Sequence, residues 1–174
     1  MKRILISVVL AAICLSSFGQ KQEEKKKFQI KGQPIVTVFA NYHAGLGRAN
    51  KESGFALDRA YLGYQFSLTE KLSGKVVFDM GSTKVSGSDL ERVAYIKNAM
   101  LSWKTGNFTL DFGLIGLEQF NVQEKFWGYR YIMKPFQDEY KFGSSADMGI
   151  LGKYKFTKWL SADITISNGE GYKN

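Results

Sequence analysis

Between Arg59 and Met80 every second residue is apolar on either side of a short polar turn. Leu62, Tyr64, Phe66 and Leu68 alternate with Gly63, Gln65 and Ser67. After Thr69-Glu70-Lys71, Val76, Phe78 and Met80 alternate with Lys75, Val77 and Asp79. A period of two is that of a strand with two different faces, and two such runs about a short polar turn make a β-hairpin. Such a hairpin has two possible settings. In a soluble sandwich the apolar face is the core; in a closed membrane sheet it looks at lipid and the wet face points inward.

The pattern recurs in seven segments: Ile35 to Ala44, Phe55 to Leu68, Leu72 to Gly81, Ala94 to Lys104, Phe108 to Gly116, Ala146 to Phe156 and Leu160 to Asn168. In the first, Phe39 breaks the alternation. These lengths suit a tilted bilayer crossing, which takes roughly 9–11 residues. The connections alternate long and short: Gly45–Gly54, Ser82–Val93 and Leu117–Ser145 are long, whereas Thr69–Lys71, Thr105–Asn107 and Thr157–Trp159 are short. Short periplasmic turns opposite long outer loops are a barrel's asymmetry, and a sandwich has no physical reason for it. Phe66, Trp103, Phe108, Phe156 and Trp159 sit beside the short turns, with Tyr42, Phe55 and Tyr61 toward the long loops, as two interfacial belts require. The expected fold is therefore all-β, an antiparallel transmembrane β-barrel, with the apolar face toward lipid.

Residues 1–20, MKRILISVVLAAICLSSFGQ, have the basic start, short apolar middle and small-residue end of a secretory signal. The apolar run is too short to span a bilayer, which needs about 20 residues. Cys14, the only cysteine, lies inside it behind Ile13, where a lipidation site would want a small residue. The mature chain then carries no thiol and no disulfide. Its charge is near +6, the +8 of the full chain less Lys2 and Arg3. Residues 21–33 begin with KQEEKKK and read as a charged leader, leaving 34–174 as the barrel domain.

The wet parity carries Arg59, Lys75, Lys153 and Lys155 together with Asp79, Asp111, Asp147 and Asp163. These are the pore-lining candidates. The mixture points to a water-filled interior of balanced charge, with several lysines paired to aspartates across strands. Asp58 and Lys97 fall on the lipid-facing parity, near strand ends where the cost of a charge is small. The only histidine, His43, is a rim residue. The chain has no HExxH, GxSxG or Walker loop, and Gly45-Leu46-Gly47 lacks the rest of a dinucleotide site. No cofactor, metal site, nucleic-acid partner or enzymatic activity is expected.

The stretches FALDRAYLGYQFSLTEKLSGKVVFD, LDFGLIGLEQF, FWGYRYIMKPFQD and SADMGILGKYKFTKWLSADITISNGEGY resemble the porins of Gram-negative outer membranes, most of all the phosphate-selective porin O and P type group with its Bacteroidetes members. The resemblance covers essentially the whole mature chain through patterned strands and no invariant signature. It implies a barrel of sixteen or eighteen strands, of which the seven or eight here form an N-terminal portion. NGEGYKN at the end reads as the start of another outer loop. An oligomeric barrel, or an eight-stranded one with a further strand at Ile30 to Gly32, are the alternatives. The resemblance also implies a homo-trimer in outer-membrane lipid, passing small hydrophilic solutes or anions. The long loop Leu117–Ser145 takes the place of a constriction loop, with Glu118, Lys125, Arg130 and Lys134 as its charged candidates and a short helix expected from Val122 to Tyr131. Two other functions remain: a non-conducting barrel acting as anchor or adhesion surface, and a soluble exported barrel that binds a small ligand.

Overall fold

The computed structural model describes residues 30–45, 53–82 and 91–173. The expected signal segment, residues 1–20, and most of the expected charged leader lie outside them. The strands are β1 (Lys31–Ala44), β2 (Ser53–Ser67), β3 (Leu72–Ser82), β4 (Arg92–Thr105), β5 (Phe108–Gly116), β6 (Ala146–Lys155) and β7 (Ser161–Ser167). They form one antiparallel sheet in sequence order, each strand paired with its chain neighbours. The all-β, antiparallel expectation is met. The sheet is open, with β1 and β7 at its two edges. Ile30 to Gly32 make no separate strand: the region from Lys31 lengthens β1, ahead of its expected start at Ile35 and of the expected domain start at residue 34, and Lys31 pairs with Ser67.

Two of the short turns use one device. In Leu68-Thr69-Glu70-Lys71-Leu72-Ser73 the Thr69 hydroxyl oxygen accepts from the Lys71 and Leu72 amides at 3.2 and 2.9 Å. In Phe156-Thr157-Lys158-Trp159-Leu160-Ser161 the Thr157 oxygen accepts from Trp159 and Leu160 at 3.3 and 3.0 Å. The Leu72 and Leu160 carbonyls each take two amides from the first residues of their turn. A threonine bonding its own backbone forward replaces the ladder bonds a turn must give up. The third short turn is Gly106-Asn107, with Gly106 at φ 55°.

The apolar parity lies bare. Val36, Leu62, Phe78, Leu101, Phe112 and Ile150 are exposed from β1 to β6, and on β7 Ile164 and Ile166 are 76% and 75% exposed. Aromatic rings gather at the short-turn end. Phe66 lies against Gly74, its cross-strand partner, so closely that a Cβ there would sit 2.5 Å from the ring. Tyr154 packs beside Phe156, and Trp103 beside Phe108. At the other end Tyr42 meets Phe55, which is 91% exposed. Tyr61 does not join this belt, because its odd parity puts it on the wet face, where Phe39 meets it edge-on at 5.4 Å. Of the buried apolar strand residues, Val77, Ile115 and Leu151 share that wet parity, whereas Ala146, at the start of β6, has the other.

The long connection after β5 holds two helices, α1 (Glu118–Trp127) and α2 (Phe136–Glu139). The helix expected at Val122 to Tyr131 thus begins and ends four residues earlier. The amides of Phe120 and Asn121 bond back to the Leu117 carbonyl, so the helix starts as soon as β5 ends. Gly128 stops it in the left-handed conformation, φ 71°, its amide on the Glu124 carbonyl.

Gly113 in β5 has φ 112°, and an added Cβ would stand 2.5 Å from the Ala99 carbonyl oxygen on β4. Both the backbone angle and the neighbouring strand require glycine there. The Gly113→Ala variant is expected to lose about 1–3 kcal/mol of stability, read as a lower urea midpoint; an unchanged midpoint contradicts this.

Candidate functional site

Two irregularities in the ladders decide which charges reach the wet face. Phe39 pairs with Arg59 but Ala40 pairs with Leu57, so Asp58 is an extra residue in β2. Val77 pairs with Asn98 but Phe78 pairs with Ile96, so Lys97 is an extra residue in β4. Each is a β-bulge, which turns one side chain and resets the alternation beyond it. Asp58 and Lys97, expected toward lipid, both line a cavity of about 560 Å³ on the wet side. Asp58 accepts from the Asn41 amide at 2.6 Å. Lys97 donates to the Tyr61 hydroxyl at 3.1 Å and lies 4.2 Å above that ring. The outward series stays apolar on both sides of each bulge: Leu62 and Ala60 hand over to Leu57 and Phe55, and Leu101 and Ala99 to Ile96 and Ala94.

Beneath the cavity sits Asp79, 1% exposed. Its Oδ1 is 3.2 Å from Arg59 Nε, an ion pair without a well-aligned hydrogen bond. Its Oδ2 accepts from the Tyr172 hydroxyl at 2.6 Å, with Lys173 Nζ at 3.9 Å. Tyr172 reaches this point because the chain after β7 turns back over the wet face. The Asp147 carboxylate accepts from the amides of Gly169 and Gly171 at 2.6 and 3.2 Å and from Met148 at 2.8 Å. Both glycines are left-handed, φ 85° and 81°. Residues 168–173 of the NGEGYKN stretch are thus a strap across the wet face, where the start of an outer loop was expected. Burial is the largest cause raising the Tyr172 hydroxyl above its ordinary value of 10.0, with the Asp79 hydrogen bond next.

The loop after β5 covers the same face. Lys153 on β6 pairs with Glu118 at its start, instead of with its ladder partner Asp163. Arg130 lies 5.6 Å over the Phe39 ring, on the far side of the sheet from β5. Phe39, the break in the alternation of β1, is an aromatic seat between Tyr61 and the loop. Arg130 is held in turn by Glu124 and Asp138, both at 3.2 Å.

The candidates therefore divide. Arg59, Asp79, Arg130 and Asp147 belong to the cavity or its supports, and Lys134 lines it. Lys153 and Glu118 tie down the loop. Lys75 lies within electrostatic reach of Asp111 and Lys97, and Asp111 Oδ1 is buried with no hydrogen-bond partner among the described residues. Asp163 lines a smaller hollow of about 270 Å³ beside Glu118. Lys155 is exposed at the short-turn end and Lys125 is exposed in the last turn of α1, both apart from the cavity. His43 is exposed beside Asn41. Sequence reasoning missed Asp58, Tyr61, Lys97, Tyr172 and Lys173 as members of the site. A signal for the bulges was present: apolar positions step by three, from Leu57 to Ala60 and from Ile96 to Ala99, where the rest step by two.

Compared with known proteins, the chain matches no family model, no curated protein and no solved structure.

Two outcomes test the strap. Asp147→Ala should release it, read as at least a tenfold faster hydrogen exchange at the Gly169 and Gly171 amides with the ladder amides of β3 unchanged; equal exchange contradicts the anchoring. The raised Tyr172 value means the folded chain keeps a proton that the unfolded chain loses. Its stabilising contribution is complete below about pH 10 and disappears as pH rises above that. Tyr172→Phe should remove this alkaline component from the pH dependence of unfolding.

Proposed function

We propose that these strands are part of the wall of an outer-membrane barrel, its apolar face against lipid and its wet face lining a passage for small hydrophilic solutes, as in the porin group that the sequence resembles. The observation that carries the reading is the inverted distribution of solvation. Leucines, isoleucines and aromatics are exposed across one whole face, while Asp79, Asn98 and Asp147 are buried on the other. A soluble protein rarely leaves an apolar patch larger than a few hundred Å² uncovered. Hydrocarbon covers such a face without a partner protein, and aromatic rings at its two ends suit the two interfaces.

The remaining features agree with this setting. The bulges keep charge off the lipid side, where a lysine or arginine at mid-depth costs about 2–4 kcal/mol. The loop after β5 lies over the wet face, where it narrows whatever passes. The free edges of β1 and β7 have to be paired by further strands in lipid, since each unsatisfied backbone group there costs several kcal/mol. The covering of the wet face by both loop and strap favours a second reading, a closed barrel that does not conduct and serves as an anchor.

Conductance separates the two. The full chain, refolded in detergent and added to planar bilayers, is expected to give discrete channels with a modest preference among ions, because cations and carboxylates are mixed on the wet face. Membrane insertion without conductance supports the anchor, and solubility without detergent overturns the membrane setting. Ile150→Lys, at mid-strand on the apolar face of β6, is expected to cost about 2–4 kcal/mol in lipid. Unchanged or improved folding of that variant would mean the face meets water.

A further inference from the structure

Several cations on the wet face are paired with carboxylates, while Lys134 and Lys141 also line the cavity. Arg59 is paired with Asp79, Arg130 with Glu124 and Asp138, and Lys153 with Glu118. Lys97 is held differently. Its contacts are the Tyr61 hydroxyl at 3.1 Å, the Tyr61 ring at 4.2 Å and the Tyr172 ring at 6.0 Å. These groups are neutral. An aromatic face attracts an ammonium without cancelling its charge, and one bond to Tyr61 leaves N–H donors to spare. A β-bulge thus delivers into the cavity a lysine whose charge remains available to a solute.

The rest of the wall narrows the class of that solute. Asp58 and Glu139 stand in the same cavity, alongside Lys134 and Lys141. The two carboxylates accept hydrogen bonds from hydroxyl groups. The cavity, about 560 Å³, is many times the roughly 30 Å³ share of one water molecule, and a bare inorganic anion would leave most of it unfilled. Tyr95 and Tyr172 add flat apolar surface for C–H groups, as a sugar ring presents.

Resting on the reading of the wet face as a solute passage, we propose that this cavity binds a hydroxylated organic acid with a single carboxylate, of the sugar-acid class. Lys97 takes the carboxylate, the tyrosines meet the ring, and the acidic side chains meet the hydroxyls. Arg59 acts as a positioning residue, holding Asp79 and through it Tyr172.

The test is equilibrium binding to the full chain refolded in detergent, by calorimetry or saturation-transfer NMR, with glucuronate, glucose and inorganic phosphate as probes. Glucuronate is expected to bind about tenfold or more tighter than either of the others. Lys97→Gln should remove about tenfold of that affinity, the effect of losing one charge-assisted hydrogen bond. Lys97→Arg should retain most of it, and Lys158→Gln, in the short turn before β7, should change nothing. Where Lys97→Gln loses its β-sheet circular dichroism, Lys97→Met, which keeps the aliphatic stem, carries the same comparison. Phosphate binding as tight as glucuronate, a folded Lys97 variant without effect, or no glucuronate binding by the unaltered chain overturns the proposal. The readout needs no conduction, so a chain that binds without conducting sinks the channel and keeps the site. A chain that conducts but does not discriminate does the reverse.

Discussion

The two faces of this sheet differ in polarity, and the alternation of side chains along a strand must keep every residue on its proper side. A strand has no freedom in this: one residue of slip exchanges the faces of everything beyond it. Asp58 and Lys97 are the places where regular alternation would have put a charge among leucines. At each, one extra residue is accommodated as a bulge. The charge crosses to the wet side and the apolar series resumes in phase. The cost is a locally broken ladder. The gain is that Leu57 and Phe55, or Ile96 and Ala94, continue the apolar face without interruption.

The bulges also explain why the cavity is where it is. Both lie toward the long-loop ends of their strands, and both deliver their side chain to the space beneath the loop and the strap. Arg130 comes from the loop, Tyr172 from the strap, and Lys97 and Arg59 from the sheet. They are far apart in sequence and meet through a common aromatic floor of Phe39 and Tyr61. The aromatic residue that looked misplaced in β1 is what the loop rests on.

Much of the fold was legible from the period-two pattern. All seven strands, their order of short and long connections and the division of faces follow from the residues themselves, because each side chain's solvation is a local property. The pattern also located the loop and most of its charges. What it missed depends on geometry beyond one strand. A strict period of two assigned Asp58 and Lys97 to the wrong side, since a bulge appears only when two strands are aligned. The strap was read as an outward loop because its direction is set by Asp147, more than twenty residues earlier. The partner of Lys153 could not be read for a similar reason: Glu118 arrives with the loop. Gly128 did mark the end of α1, but the pattern placed that end later, in the aromatic run that follows.

The strap has a consequence for the order of assembly. Every strand pair joins neighbours in the chain, so the hairpins with threonine turns can form from local segments alone, each closing only a short length of backbone. The Tyr172 hydroxyl and Asp79, in contrast, are 93 residues apart, and their bond requires β3 and β7 to stand already in one sheet. It is a contact that reports completion. Until it forms, Asp79 has no tyrosine above it, and the floor of the cavity is open to water. A sheet with all these hairpins in place but without this contact therefore still lacks the finished cavity, because local strand pairing alone does not bring Tyr172 to Asp79.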